Sequence, residues 1–102
     1  MNIEYSLSGN TLFIRLLGEL DEYTAGYTRT ILDDMLIKHS YDNVVFDLAK
    51  LDFMDSTGIG VMLGRYKRLQ SRNIPIYIIN PSRQAEKIFQ MAGLYDIMPK
   101  IS

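Results

Sequence analysis

The sequence predicts an α/β layer fold with a partly parallel sheet, in the order β-β-α-β-α-β-α with a short last strand to follow. Three observations predict it. Two β-like runs split by a turn signal open the chain. Two near-continuous apolar runs further on suit parallel strands covered on both faces. Apolar residues at helical spacing precede and follow those runs.

In chain order, "IEYSL" and "TLFIRLLGEL" flank Ser8-Gly9-Asn10, which predicts an opening hairpin. From about Glu22 to His39 the apolar side recurs as Thr28, Ile31, Leu32, Met35 and Leu36, a helix. "NVVFDLA" reads as a buried strand. From Ser56 to about Ser71, Ile59, Met62, Leu63, Tyr66 and Leu69 repeat at helical intervals, with Lys67, Arg68 and Arg72 near the end where cations complement the dipole. "IPIYII" is the next strand. Asn80 and Pro81 are expected to start a helix over Ala85, Ile88, Phe89 and Ala92, which Gly93 stops. "YDIMPKI" is expected to return as a short edge strand.

At 102 residues the chain fits one domain, 1–102. A hydrophobic share of 47% with 23% charged residues is that of a folded soluble protein. A net charge of -1 gives no polybasic footprint for nucleic acid or an anionic membrane. Without cysteine there is no disulfide framework or thiolate metal site, which fits a reducing, cytoplasmic setting. "MNIEYSLSGN" lacks the charged and apolar regions of a signal peptide, and no run is long and apolar enough for a membrane span.

The chemistry concentrates in "FMDSTGIG", residues 53–60. A nucleophile elbow needs glycine two places before the serine, where Met54 stands, and the single histidine, His39, falls at a predicted helix end. No Gly-Lys pair exists for a phosphate-cradling loop. Asp47, Asp52 and Asp55 cluster without a nearby histidine, so they read as loop solvation and a helix cap rather than a metal site. No cofactor is implied. Ser56 is either the N-cap, its hydroxyl spent on a first-turn N–H, or the first helical residue behind an Asp55 cap, its hydroxyl free. Gly58 and Gly60 each cost roughly 0.5–1 kcal/mol in a helix and leave room for another backbone or protein to approach. Gly60 and Gly64 share a helix face, and close packing against the sheet accounts for that pair.

"GELD" at 18–21, "FMDSTGIGVMLGRYK" at 53–67 and "FQMAGLYDI" at 89–97 resemble the bacterial anti-sigma factor antagonists of the STAS domain family, in order and spacing, from about Ile3 to Ile101. The likeness is to the sporulation type of spore-forming bacilli. The resemblance implies an open mixed sheet flanked by helices, with a phosphorylatable serine, here Ser56, at the N-terminus of the second helix. It also implies a partner switch. An anti-sigma factor that is itself a serine kinase phosphorylates the serine, the unphosphorylated protein binds that factor and releases the sigma factor, and a separate phosphatase resets it. Asp21 would then lie beside Ser56 at the partner-facing end. Family members often continue into a further C-terminal helix, whereas this sequence stops at Ser102.

On that reading the partner contacts are Asp21, Met54, Asp55, Ser56, Thr57, Gly58 and Gly60. Phe53 is assigned to the core, Met54 to an adaptable exposed contact, and Gly58 to keeping the first turn bare for a kinase. Thr57 is the neighbouring alternative to Ser56 as acceptor, but its hydroxyl is turned about 100° around the axis. The rival readings are a STAS subunit of a larger scaffold or transport complex, never phosphorylated, and a nucleotide-hydrolysing enzyme built on the acidic loop.

Overall fold

The opening hairpin pairs β1 (Asn2–Ser8) with β2 (Thr11–Leu20), registered from Ser8 against Thr11 to Asn2 against Leu17 in the computed structural model, which describes residues 1–102. Gly9 turns it at φ 59°, a left-handed conformation that costs glycine nothing. There follow α1 (Ala25–Lys38), β3 (Asn43–Asp47), β4 (Leu51–Met54), α2 (Ser56–Gln70), β5 (Ile76–Ile79) and α3 (Arg83–Met91). One turn of 3-10 helix, Leu94–Asp96, comes last.

The sheet order is β1-β2-β3-β5, with β4 pairing along β2 beyond the reach of β3. Only β1 is antiparallel; β2, β3, β4 and β5 pair in parallel. Leu12, Ile14, Leu16 and Leu20 of β2 point to one face, as alternation dictates, and are buried with Val44, Phe46, Ile76 and Ile78. The helices close that face with Leu32 and Met35 of α1, Val61, Met62 and Leu69 of α2, and Ala85 and Phe89 of α3.

Several expected elements are revised. β4 was expected to be loop. The predicted strand 43–49 ends at Asp47, whose carboxylate takes the Ala49 N–H at 3.1 Å and turns the chain towards β4. α1 starts at Ala25, not Glu22, because residues 21–24 are consumed by a hydrogen-bonded turn. Ser82, not Asn80 or Pro81, caps α3, accepting the Ala85 N–H at 3.1 Å. Gly93 does stop that helix, at φ 68°. The last stretch supplies the 3-10 turn and a single parallel bridge, Ile78 to Lys100, instead of a strand. His39 is the residue after α1 and its ring lies 4.7 Å from that of Tyr5.

Candidate functional site

Parallel β2 and β4 end together, with Leu20 registered against Met54. Both strands therefore leave the sheet at one edge, as Asp21 and Asp55; the Asp55 carboxylate starts a helix, whereas that of Asp21 holds the turn before one. The Asp55 side chain accepts the Gly58 N–H at 3.0 Å, so Asp55 is the N-cap of α2. Ser56 is then the first helical residue; it is exposed, and its hydroxyl makes no hydrogen bond within the chain. At the other strand end, the Asp21 carboxylate accepts the N–H groups of Tyr23 (2.9 Å) and Thr24 (3.1 Å), while the Thr24 hydroxyl accepts the Asp21 N–H at 3.0 Å. An Ala25 N–H to Asp21 carbonyl bond at 2.9 Å completes the turn into α1.

A seam joins the two ends. The Asp55 N–H donates to the Leu20 carbonyl at 3.4 Å, and α2 lies so close to it that a Cβ on Gly58 would stand 2.6 Å from that oxygen and 2.8 Å from Met54 Cγ. Gly58 is therefore buried. It serves the site by having no side chain, not by baring the turn or touching a partner, as the sequence suggested.

Met54 also corrects the expectation. It is 1% exposed, because register with Leu20 turns it under the helices. Phe53, expected in the core, is 41% exposed: a bulge at Gly18/Glu19 registers it with exposed Glu19. Gly60 and Gly64 do not pack on the sheet, for nothing lies within 4 Å of a Cβ built on either. Gly60 is exposed and Thr57 half-buried.

Electrostatics mark the same end. Glu19, Asp21, Glu22, Asp52 and Asp55 take part in none of the ion pairs, which lie elsewhere. Asp47, for instance, is held by Arg15 at 3.5 Å. The start of α2 leaves the N–H groups of Ser56 and Thr57 without intrahelical acceptors, a partial positive charge aimed outward. No three His, Asp or Glu side chains converge as a metal site requires. Two clefts lie away from Ser56, one around Phe13 and Arg15, the other around Tyr66 and Ile97. No helix is long and apolar enough to cross a membrane.

Arg65 has a positioning role that reading the sequence missed. It is 5% exposed and approaches Asp33 of α1 at 3.0 Å, without hydrogen-bond alignment, so the contact is one of charge. Arg68 reaches the same carboxylate oxygen at 3.5 Å. Burial holds the Arg65 pKa below its usual value despite Asp33. The pair ties the middle of α1 to the middle of α2. The signal was available: Arg65 falls between Met62 and Leu69 on the inward stripe, where a cation needs a partner.

A protein-family model described as "STAS domain" matches residues 2–102. The "Anti-sigma F factor antagonist" of Paenibacillus polymyxa is 33% identical over 97% of this chain and 85% of that protein. The solved anti-sigma factor antagonist SpoIIAA in its unphosphorylated form superposes with a TM-score of 0.80 at 28% identity, covering 99% of this chain and 89% of that one. The Bacillus cell fate determinant SpoIIAA in the phosphorylated form gives a TM-score of 0.72 at 28% identity, covering 99% and 92%.

Proposed function

This chain belongs to the STAS domain family, and we propose that it is an anti-sigma factor antagonist whose partner binding is switched off by phosphorylation of Ser56. The observation that carries the assignment is the exposed, unbonded Ser56 hydroxyl at the start of α2, on an edge with Asp21 and Asp55. The contact face is Asp21, Asp55, Ser56, Thr57 and Gly60, with exposed Phe53 in place of buried Met54. The protein is a regulator and not an enzyme, and acts in the cytoplasm.

The partner is an anti-sigma factor with serine kinase activity, which binds the unmodified form and yields its sigma factor. A phosphate adds about -1.5 to -2 charge at neutral pH. The free N–H groups of the first turn accept it without disturbing the core. The same dianion beside Asp21 and Asp55 repels a partner whose surface is matched to the unmodified edge. A serine phosphatase removes it and restores binding.

The test is labelling with purified cognate anti-sigma factor and ATP. Wild type and Thr57→Ala should take label, while Ser56→Ala takes none and still binds. Ser56→Asp should bind weakly, with amide NMR shifts changed only near residues 19–22 and 53–60. Label persisting in Ser56→Ala refutes the acceptor; shifts spread across the sheet refute a local switch.

A further inference from the structure

Two tyrosines beside the Ser56 edge have no role in the fold. Tyr23 is 87% exposed and Tyr27 is 60% exposed. Tyr23 lies in the turn that leads into α1 and Tyr27 in the first turn of that helix, so both exposed rings sit at its start. They face away from the stripe Ala25, Thr28, Leu32, Met35 and Leu36 that α1 buries. Tyr23 is tied to the site directly, its N–H bonded to the Asp21 carboxylate. The Asp55 N–H bonds the Leu20 carbonyl, one residue before Asp21, so the turn that carries Tyr23 and leads to Tyr27 leaves from the same edge as Ser56.

Other tyrosines of this chain find partners within it. Arg72 lies 5.9 Å from the Tyr41 ring, Lys100 lies 5.5 Å from that of Tyr95, and Tyr5 meets His39. No cation of the chain lies over Tyr23 or Tyr27, and neighbouring Glu19, Asp21 and Glu22 are equally without cations. Two open ring faces beside unpaired carboxylates are complementary to one side chain above others. A planar guanidinium stacks on a ring while its N–H fork bonds a carboxylate; an ammonium does so less well. A second copy of this chain would set carboxylate against carboxylate, and an anionic membrane would be repelled.

We propose that Tyr23 and Tyr27 extend the contact face along the outer side of α1 and receive arginine side chains of the anti-sigma factor. The proposal rests on the function assigned above. It makes these rings the anchors of the interface, since aromatic residues that lose water on binding carry a disproportionate share of affinity.

Calorimetric titration of purified cognate anti-sigma factor should show Tyr23→Ala/Tyr27→Ala binding about 10- to 100-fold more weakly than wild type. Tyr23→Phe/Tyr27→Phe should stay within about threefold, because ring faces and not hydroxyls are used. Ile37→Ala, exposed at the far end of α1, should bind as wild type does. In parallel, acetyl-Arg-Gly-Arg-amide should shift the Tyr23 and Tyr27 ring protons in NMR more than acetyl-Lys-Gly-Lys-amide does, and leave Tyr5 unmoved. Unchanged affinity in the double alanine variant overturns the proposal while leaving the function intact. So does dimerisation of wild type that the double variant abolishes. Failure of wild type to bind the anti-sigma factor refutes the function instead, and the peptide comparison then decides alone: equal or absent ring shifts overturn the arginine assignment.

Discussion

Alanine placed in turn at Gly58, Gly60 and Gly64 separates fold from contact along a single helix. At each site alanine gains about 0.5–1 kcal/mol of helix propensity. At Gly58 the methyl would stand 2.6 Å from the Leu20 carbonyl oxygen, a backbone atom fixed where β2 pairs with β4. Relief requires α2 to back away, and overpacking of this kind costs about 1–3 kcal/mol. The net expectation for Gly58→Ala is a loss of up to about 2.5 kcal/mol, each kcal/mol lowering Tm by about 4–8 °C at this chain length. At Gly60 and Gly64 nothing lies within 4 Å, so the gain stands alone and Tm rises by about 2–8 °C. Binding then splits the last two. Gly60 lies on the proposed face and its methyl should weaken anti-sigma factor binding, whereas Gly64, about 12 Å along the axis from Ser56, should leave affinity unchanged. Thermal melts by circular dichroism and calorimetric titration of the three variants are the assays. A Gly58→Ala protein stabilised as much as Gly60→Ala would refute the close seam. Wild-type affinity in Gly60→Ala would take that helix face out of the interface.

Two further outcomes follow from charged contacts. Asp33→Ala leaves the Arg65 cation buried without its counterion and should cost about 3 kcal/mol in urea unfolding, largely recovered by adding Arg65→Met; a loss under about 1 kcal/mol would refute the pairing. Glu86 is held below its ordinary pKa of 4.5, first by the Lys100 hydrogen bond at 2.9 Å and then by Tyr95. A depressed folded-state pKa means stability present in full above that ordinary value and lost as pH falls through the lower folded one. Melts from pH 7 to pH 3 should therefore show wild type losing more than Glu86→Gln, and parallel curves would show that the contact adds nothing.

How much the sequence disclosed follows from which interactions are local. The cap and register of α2 were legible because Asp55, Ser56 and the stripe from Ile59 to Leu69 are neighbours along the chain, though Asp55 and Ser56 competed for the cap until the Gly58 N–H was located. β4 was not legible. Its four residues, Leu51-Asp52-Phe53-Met54, are too few and too irregular to show an alternation, and they form a strand only because β2, far back in the chain, offers unpaired positions beyond the end of β3. Missing β4 inverted Phe53 and Met54, since which side of a strand is buried depends on a partner and on the bulge at Gly18/Glu19. The α1 start failed for a different reason: Asp21 and Thr24 bond to each other's backbone and delay the helix. Tyr23 and Tyr27 went unremarked because they are out of phase with the buried stripe, and that is also why they are exposed.

The Leu20 carbonyl, held between the Asp55 N–H and the bare Cα of Gly58, ties the start of α2 to the end of β2. On the proposed function, a phosphate on Ser56 would then act on a helix start already fixed to the sheet, and the active fraction should follow the unmodified fraction. Sharpness in the response should come from the opposing rates of the proposed kinase and phosphatase. Substitutions in the core, away from the proposed contact face, should change how much protein survives rather than where the response is set.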